Sequence, residues 1–144
     1  VVRLCKLVTP NMKKKQWGRI INMTSLSAKE PDPAMALSSC TRAAVAAFSK
    51  TLSREVGQYG ITVNTILTGG VLTDRAMSFI EEDAAKSNRA VDEVIKEIGQ
   101  TIPVGHIATP EEFAAAVIFF ASEASKYVTG TAVSIDGGSA HGIM

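Results

Sequence analysis

Three short apolar runs, separated by longer stretches with helical spacing, form the main pattern of this chain. The runs cover residues 19–23, 61–67 and 131–135, and each has the length and β-branched content of a strand. Each interval between them is long enough for a helical crossover, which favours a parallel sheet with right-handed connections. The pattern predicts an α/β protein with three parallel strands and flanking helices, in a single domain over residues 1–144.

Two segments on either side of the first strand have helical spacing. Residues 1–15 place apolar side chains about one turn apart, with Pro10 as a candidate kink, and end in three lysines. Residues 36–58 are rich in alanine and carry an apolar stripe, which is most simply core packing. The members of that stripe are Val45, Phe48, Leu52 and Val56.

Two further helical segments lie in the second half of the chain. Residues 73–99 mix charges with scattered apolar residues, so we interpret them as a lid-like excursion. Thr109, Pro110 and Glu112 form a capping box that begins the next helix. That helix runs to about residue 122 and is apolar almost all round, so we expect it to be buried.

Composition narrows the class of function. With 46% hydrophobic residues, 20% charged residues and a net charge of +1, the chain is suited to a folded core and not to nucleic acid or an anionic membrane. The sequence contains no apolar run of transmembrane length, and we expect no signal peptide. Cys5 and Cys40 lack metal or redox spacing, so we predict reduced thiols, no metal site and a cytoplasmic location. Val1 falls inside a helical pattern, which suggests truncation or processing.

The ends of the first two strands carry the candidate chemistry. In open α/β sheets, ligands bind beyond the carboxyl ends of the strands. Thr24 and Ser25 place two hydroxyl groups at the first such end. Gly69 and Gly70 follow the second strand, where adjacent glycines permit close backbone approach to a ligand, although a plain tight turn is the alternative.

Four blocks of sequence together resemble the short-chain dehydrogenase/reductase family. In order they are GRIINMTS, a helix carrying S-x-x-x-R, GITVNTILTGGVLTD and TPEEFAAAVIFFASEASKYVTGTAVSIDGG. The resemblance implies the carboxyl-terminal part of a Rossmann (doubly wound) fold. It also implies NAD or NADP as cofactor and a small-molecule carbonyl or alcohol as substrate. The Gly-rich fingerprint of the amino-terminal half is absent, so the chain resembles a partial Rossmann fold.

By the same resemblance, three residues correspond to the catalytic centre. Ser25 matches the serine that ends the fifth strand of the family's sheet, and Ser38 and Arg42 stand where the family carries Tyr-x-x-x-Lys. A free tyrosine titrates at roughly pH 10, whereas a serine hydroxyl is a much weaker acid and an arginine cannot act as a base. The resemblance therefore implies an atypical reductase, weak or inactive as the isolated chain.

The resemblance also implies cofactor-binding residues. Gly69, Val71 and Thr73 match the family's nicotinamide-side loop, with Thr68 in place of its proline. The choice between NAD and NADP would be made in the half that is absent. Without that half we expect poor binding of the dinucleotide.

Two other functions fit the residues. Ser25, Ser38 or Ser39 could act as an esterase-like nucleophile if His106 or His141 lay beside it, although no G-x-S-x-G elbow is present. Alternatively, the chain could be a non-catalytic association module. In the family, the helices matching residues 1–15 and 36–58 form dimer interfaces, so we expect a homo-oligomer, with the unprotected first strand as a further pairing edge.

Overall fold

The computed structural model describes residues 1–143 and contains one three-stranded parallel sheet. Its strands are β1 (Gly18–Met23), β2 (Ile61–Thr68) and β3 (Ala132–Ile135), in the order β1-β2-β3. Gly18 pairs with Ile61 at one end of the first ladder, and Thr68 pairs with Ile135 at the end of the second. The predicted α/β class and the three parallel strands are confirmed, and the sheet matches part of a Rossmann-like fold.

Five α-helices connect and flank the strands: α1 (Val2–Lys15), α2 (Ala36–Val56), α3 (Asp74–Ser87), α4 (Val91–Gln100) and α5 (Pro110–Ala121). Pro10 lies inside α1 without ending it. The stretch predicted as one helical excursion is two helices, because Asn88 adopts a left-handed conformation (φ 52°) that closes α3. The predicted capping box of α5 is confirmed: Glu112 N–H donates to Thr109 Oγ1 at 3.2 Å, and Thr109 N–H donates to Glu112 Oε2 at 2.8 Å.

One face of the sheet is covered by α1 and α2, and we call it the closed face. Its buried cluster combines residues of α1, α2 and the first two strands, with the aromatic ring of Phe48 packed against it. The members are Cys5, Ile20, Val56, Ile61 and Val63. Val56 and Val63 are completely buried, so α1 and α2 fully exclude solvent from this part of the sheet.

A second buried cluster joins α3 and α4 to the segment that follows them. Its members are Ile80, Ala84, Val94, Ile102 and Ile107, with Leu72 packed against them. The helical excursion thus has a small core of its own beside the sheet. The chain turns from α4 towards α5 over this core.

The opposite side of the sheet, where α5 packs against β1, is only partly covered, and we call it the open face. Arg19 alternates with Ile20, so its side chain lies on this side, where its Nε donates to Ser122 O at 3.1 Å just beyond α5. The prediction that α5 is buried is wrong: Phe120 is buried, but Ile118 is 66% exposed and Phe119 44% exposed. A sheet of three strands is too narrow to cover a helix that is apolar on every side.

Strand β1 is an edge strand, as its sequence predicted, because it pairs only with β2 among the described residues. Both cysteines are free thiols, Cys5 buried and Cys40 exposed. Among residues 1–143, no helix combines the length and the apolar character needed to cross a bilayer.

Candidate functional site

Ser25 lies directly after β1, at the start of a short 3₁₀ helix (Leu26–Ala28). Its hydroxyl oxygen accepts a hydrogen bond from the Ser27 N–H at 3.3 Å, as a serine cap does. The side chain is half-buried and keeps its own O–H free to donate to another group. Ser25 therefore has the position, at a strand's carboxyl end, that the sequence predicted for it.

Ser38 and Arg42 face each other on the first turns of α2. Arg42 Nε donates to Ser38 Oγ at 2.9 Å, the geometry expected for residues four apart on a helix. Both side chains are half-buried. The contact uses one of the five guanidinium donors, which leaves four for other partners.

Among the described residues, no hydrogen bond joins Ser25 to the Ser38–Arg42 pair. The 3₁₀ helix that Ser25 caps packs against α2, so the two segments are neighbours. Among the described residues, the Ser25 hydroxyl contacts Ser27, and the Ser38 hydroxyl contacts Arg42.

Gly69 has a structural reason to be glycine. Its N–H donates to Ile135 O at 3.0 Å, and a Cβ atom placed on it would lie 2.5 Å from Asp136 Cα. No side chain fits that gap, because the obstacle is backbone of the segment after β3. Close backbone approach does occur here, as predicted for the paired glycines, but the approaching backbone is the protein's own.

Val71 and Thr73 continue the loop after β2. Val71 forms a parallel bridge with Ala108, in which Leu72 N–H donates to Ala108 O at 2.9 Å. The Val71 carbonyl accepts from Thr73 N–H at 2.8 Å, and no described residue accepts the Val71 N–H. Thr73 Oγ1 caps α3 by accepting from Ala76 N–H at 3.3 Å, and its hydroxyl hydrogen is available to donate.

A cavity of about 210 Å³ lies beside this loop, between the ends of β2 and β3 and the amino end of α5. His106 and Glu112 are on its wall, with His106 Nε2 3.0 Å from Glu112 Oε1. The pKa of the Glu112 carboxyl is lowered, first by the Thr109 N–H that it accepts and then by His106. The loop histidine is thus part of the cap of α5 and does not contact Ser25, Ser38 or Arg42.

The sequence analysis missed one contact at the Ser25 loop. Glu30 Oε1 accepts hydrogen bonds from the backbone N–H groups of His141 at 2.7 Å and Gly142 at 2.9 Å, and Lys29 Nζ donates to Gly142 O at 3.3 Å. The Gly142 and His141 contacts lower the pKa of Glu30. Residues this far apart in the chain carry no local signal of pairing, so only the fold reveals that the carboxyl-terminal segment is held against the loop.

Neither histidine is placed to serve a serine nucleophile. His106 contacts Glu112, and His141, which is almost fully exposed, lies 3.6 Å from Glu30. Among the described residues, neither imidazole forms a hydrogen bond with Ser25, Ser38 or Ser39. An esterase-like mechanism requires such a pair, so the geometry does not favour it.

The residues suit one end of a nicotinamide dinucleotide better than the other. The unused Val71 N–H and the Thr73 hydroxyl are a donor pair of the kind that a carboxamide accepts. A pyrophosphate, in contrast, is usually held by a Gly-rich loop that opens a helix. None of the described helices begins with such a loop.

Comparisons with known proteins agree on one family. A family model described as enoyl-(acyl carrier protein) reductase matches residues 1–140. The NADPH-dependent reductase BacG of Bacillus subtilis is 37% identical over 128 residues, which are 89% of this chain and 49% of that protein.

Two solved structures are similar over nearly the whole chain. L-sorbose reductase from Gluconobacter frateurii, complexed with NADPH and L-sorbose, is 31% identical with a TM-score of 0.92, over 99% of this chain and 54% of its own. An NADPH-bound short-chain oxidoreductase from Pseudomonas aeruginosa PAO1 with an atypical catalytic center is 28% identical with a TM-score of 0.84, over 99% and 53%. The chain therefore spans about half the length of the relatives that it matches.

Proposed function

The chain belongs to the short-chain dehydrogenase/reductase family, and from this premise we propose that it forms the carboxyl-terminal half of an NAD(P)H-dependent reductase with an atypical catalytic centre. The centre consists of Ser25, Ser38 and Arg42, and the cofactor-binding loop of Gly69, Val71 and Thr73. The observation that carries the proposal is the Arg42–Ser38 hydrogen bond of 2.9 Å on α2, the helix against which the 3₁₀ helix capped by Ser25 packs. NADPH-bound relatives, one of them with an atypical centre, support it.

Each residue of the proposed centre has a defined part in the reduction of a small carbonyl compound. The Ser25 hydroxyl donates a hydrogen bond to the substrate oxygen, and the Arg42 guanidinium stabilises the negative charge that develops there. Ser38 orients Arg42 through the hydrogen bond to Nε. The cofactor, when bound, supplies the hydride.

The proton of the product alcohol comes from solvent in this proposal. Neither a serine hydroxyl nor a guanidinium is an effective acid near neutral pH. The reaction is therefore expected to be slower than that of relatives with Tyr-x-x-x-Lys, since general acid catalysis contributes about 10²–10⁴-fold.

Restoring the usual pair tests the catalytic assignment. The assay uses this chain joined behind the unmatched half of the Bacillus subtilis reductase, with NADPH oxidation followed on a panel of small ketones. We expect Ser38→Tyr with Arg42→Lys to raise kcat by about tenfold or more, because it supplies a general acid. Ser25→Ala should lower kcat/KM. Equal rates in all variants would contradict the assignment.

Titration of the isolated chain tests the cofactor assignment. Without a pyrophosphate site, the 144-residue chain should give no saturable fluorescence change with NADPH or NADH at low-micromolar concentrations. The joined chain should bind, and its preference between the two should follow the added half. Tight binding of NADPH or NADH by the isolated chain would contradict the proposal that the added half is needed to bind the cofactor.

Self-association through α1 and α2 is a second part of the proposal. A groove of about 360 Å³ runs between the two helices, with Phe48 and Leu52 in its lining. The same helices carry exposed apolar side chains, among them Leu4, Leu7 and Leu37. A second copy can place its own leucines there and Lys6 against Glu55. Sedimentation velocity should give a dimer that Leu7→Lys dissociates, whereas Tyr127→Lys, at a fully exposed site elsewhere, should not. Because both cysteines are free thiols, we propose that this oligomer is in the cytoplasm.

A further inference from the structure

Glu30 joins the loop that carries Ser25 to the carboxyl-terminal segment of the chain. Its Oε1 accepts hydrogen bonds from the N–H groups of His141 at 2.7 Å and Gly142 at 2.9 Å. Both donors reach the same carboxylate oxygen, and hydrogen bonds to an ionised acceptor are stronger than those between neutral groups. Lys29 Nζ donates to Gly142 O at 3.3 Å, which adds a third contact between the two segments.

Glu30 also binds the backbone around Ser25. Its N–H donates to Leu26 O at 2.9 Å, within the turn that Ser25 begins. In the same turn, Ala28 N–H donates to Ser25 O at 3.0 Å, and Ser27 N–H donates to the Ser25 hydroxyl oxygen at 3.3 Å. The Glu30 side chain and the Ser25 hydroxyl are therefore joined through a single turn of hydrogen-bonded backbone.

The segment that Glu30 binds begins at the end of β3. Asp136 Oδ1 accepts from Gly138 N–H at 3.0 Å, so the Asp136 side chain holds the turn that follows the strand. The Gly69 N–H donates to the carbonyl oxygen of the last β3 residue, also at 3.0 Å. Residues 136–142, which we call the carboxyl-terminal bridge, thus connect the loop that contains Gly69 with the loop that contains Ser25.

We propose that Glu30 is a positioning residue for Ser25, a step that rests on the proposed function. Through the carboxyl-terminal bridge, Glu30 fixes the Ser25 hydroxyl relative to the proposed cofactor-binding loop at Gly69. In the proposed reaction Ser25 donates a hydrogen bond to the substrate oxygen, and such a donor is effective only when it is held in place beforehand. Glu30 acts through Ser25 and is not itself a reacting group.

Hydrogen exchange on this chain tests the positioning without an assay of activity. Glu30→Ala should speed exchange at the Ala28 and Gly142 amides by about tenfold, since hydrogen bonds to a charged group are lost. Glu30→Gln keeps an oxygen acceptor at the same reach, so it should recover part of the protection. The control is Glu81→Ala, because the exposed Glu81 side chain on α3 contacts no hydrogen-bond partner among the described residues. Circular dichroism checks the folding of each variant.

A double-mutant cycle tests whether the effect on reduction passes through Ser25. The enzyme is this chain joined behind the unmatched half of the Bacillus subtilis reductase. Glu30→Ala should lower kcat for small ketones by about tenfold and leave the KM for NADPH unchanged, and Glu30→Gln should lower kcat less. In a Ser25→Ala background, Glu30→Ala should have no further effect, because the group that it positions is already absent. An equal loss of kcat in both backgrounds would show a general structural effect and overturn the proposal.

The two measurements separate this proposal from the reductase assignment. If the joined chain has no reductase activity while Glu30→Ala speeds exchange at Ala28, the proposed function is wrong and the positioning of Ser25 by Glu30 stands. If the joined chain is active and Glu30→Ala leaves its kcat unchanged, the reductase assignment stands and the positioning role of Glu30 is wrong. Unchanged exchange at Ala28 in a folded Glu30→Ala variant would also overturn that role.

Discussion

The closed and open faces of the sheet differ in how far the chain can complete them by itself. On the closed face, α1 and α2 bury Val56 and Val63 completely against the sheet. On the open face, α5 covers β1 but leaves Ile118 and Phe119 in contact with solvent. Apolar segments of similar hydrophobicity are therefore buried to different extents, because burial depends on how much neighbouring structure is available to cover them.

The largest expected difference between the two faces is in the stability that is lost when one isoleucine side chain is truncated on each face. Ile61→Ala on the closed face deletes a side chain that is 1% exposed and should lower the free energy of unfolding by about 2–5 kcal/mol. Ile118→Ala on the open face should change it by no more than about 0.5 kcal/mol. Urea denaturation measures both, and a similar loss for the two variants would remove the distinction between the faces.

The next largest loss of stability is expected from a substitution at Gly69, where the carboxyl ends of β2 and β3 meet. Gly69→Ala places a methyl group 2.5 Å from Asp136 Cα and should cost about 1–3 kcal/mol as the backbone moves. The control is Gly57→Ala, where φ is −56° and no atom lies within 4 Å of the new methyl. That change should be stabilising by about 0.4–1 kcal/mol. A neutral Gly69→Ala variant would show that the contact between the β2 and β3 ends is loose.

The reaction rates of the two native thiols should report how well the closed face is protected from solvent. Cys5 is buried in its cluster, and that burial raises the pKa of its thiol, whereas Cys40 is exposed. Cys40 should therefore react with an aromatic disulfide reagent in the first phase, and Cys5 more slowly. Equal rates would indicate that α1 separates readily from the sheet. Cys40→Ser assigns the phases.

The smallest expected effect is on stability at acid pH, through the Glu112 carboxylate that caps α5 on the open face. The pKa of Glu112 is lowered in the fold from its ordinary 4.5, so its carboxylate adds stability above that pH and loses it as pH falls through the lowered value. Glu112→Gln should flatten the dependence of stability on pH below about 4.5, because an amide does not titrate.

Glu30 contributes with the same sign and cause, since its pKa is also lowered by backbone N–H groups. The single Glu112→Gln variant should thus retain part of the acid sensitivity, and Glu30→Gln with Glu112→Gln should retain less. A wild-type profile that is flat from neutral pH to well below 4.5 would contradict both assignments.

The residue pattern of the chain was enough to predict its strands, its helices and its α/β class. The three strands, the capping box at Thr109 and the end of the first helix were predicted closely, because apolar runs, caps and turns are encoded by residues a few positions apart. It also placed Ser25 at the carboxyl end of the first strand, and Ser38 and Arg42 on the first turns of the following helix.

Features that depend on contacts between distant parts of the chain are visible only in the folded protein. The packing of Gly69 on Asp136 and the bonds of Glu30 to His141 and Gly142 join segments with no local signature of pairing. The exposure of α5 likewise could not be predicted from its composition. An apolar helix is buried only as far as other elements cover it, and that is a property of the whole assembly rather than of the helix.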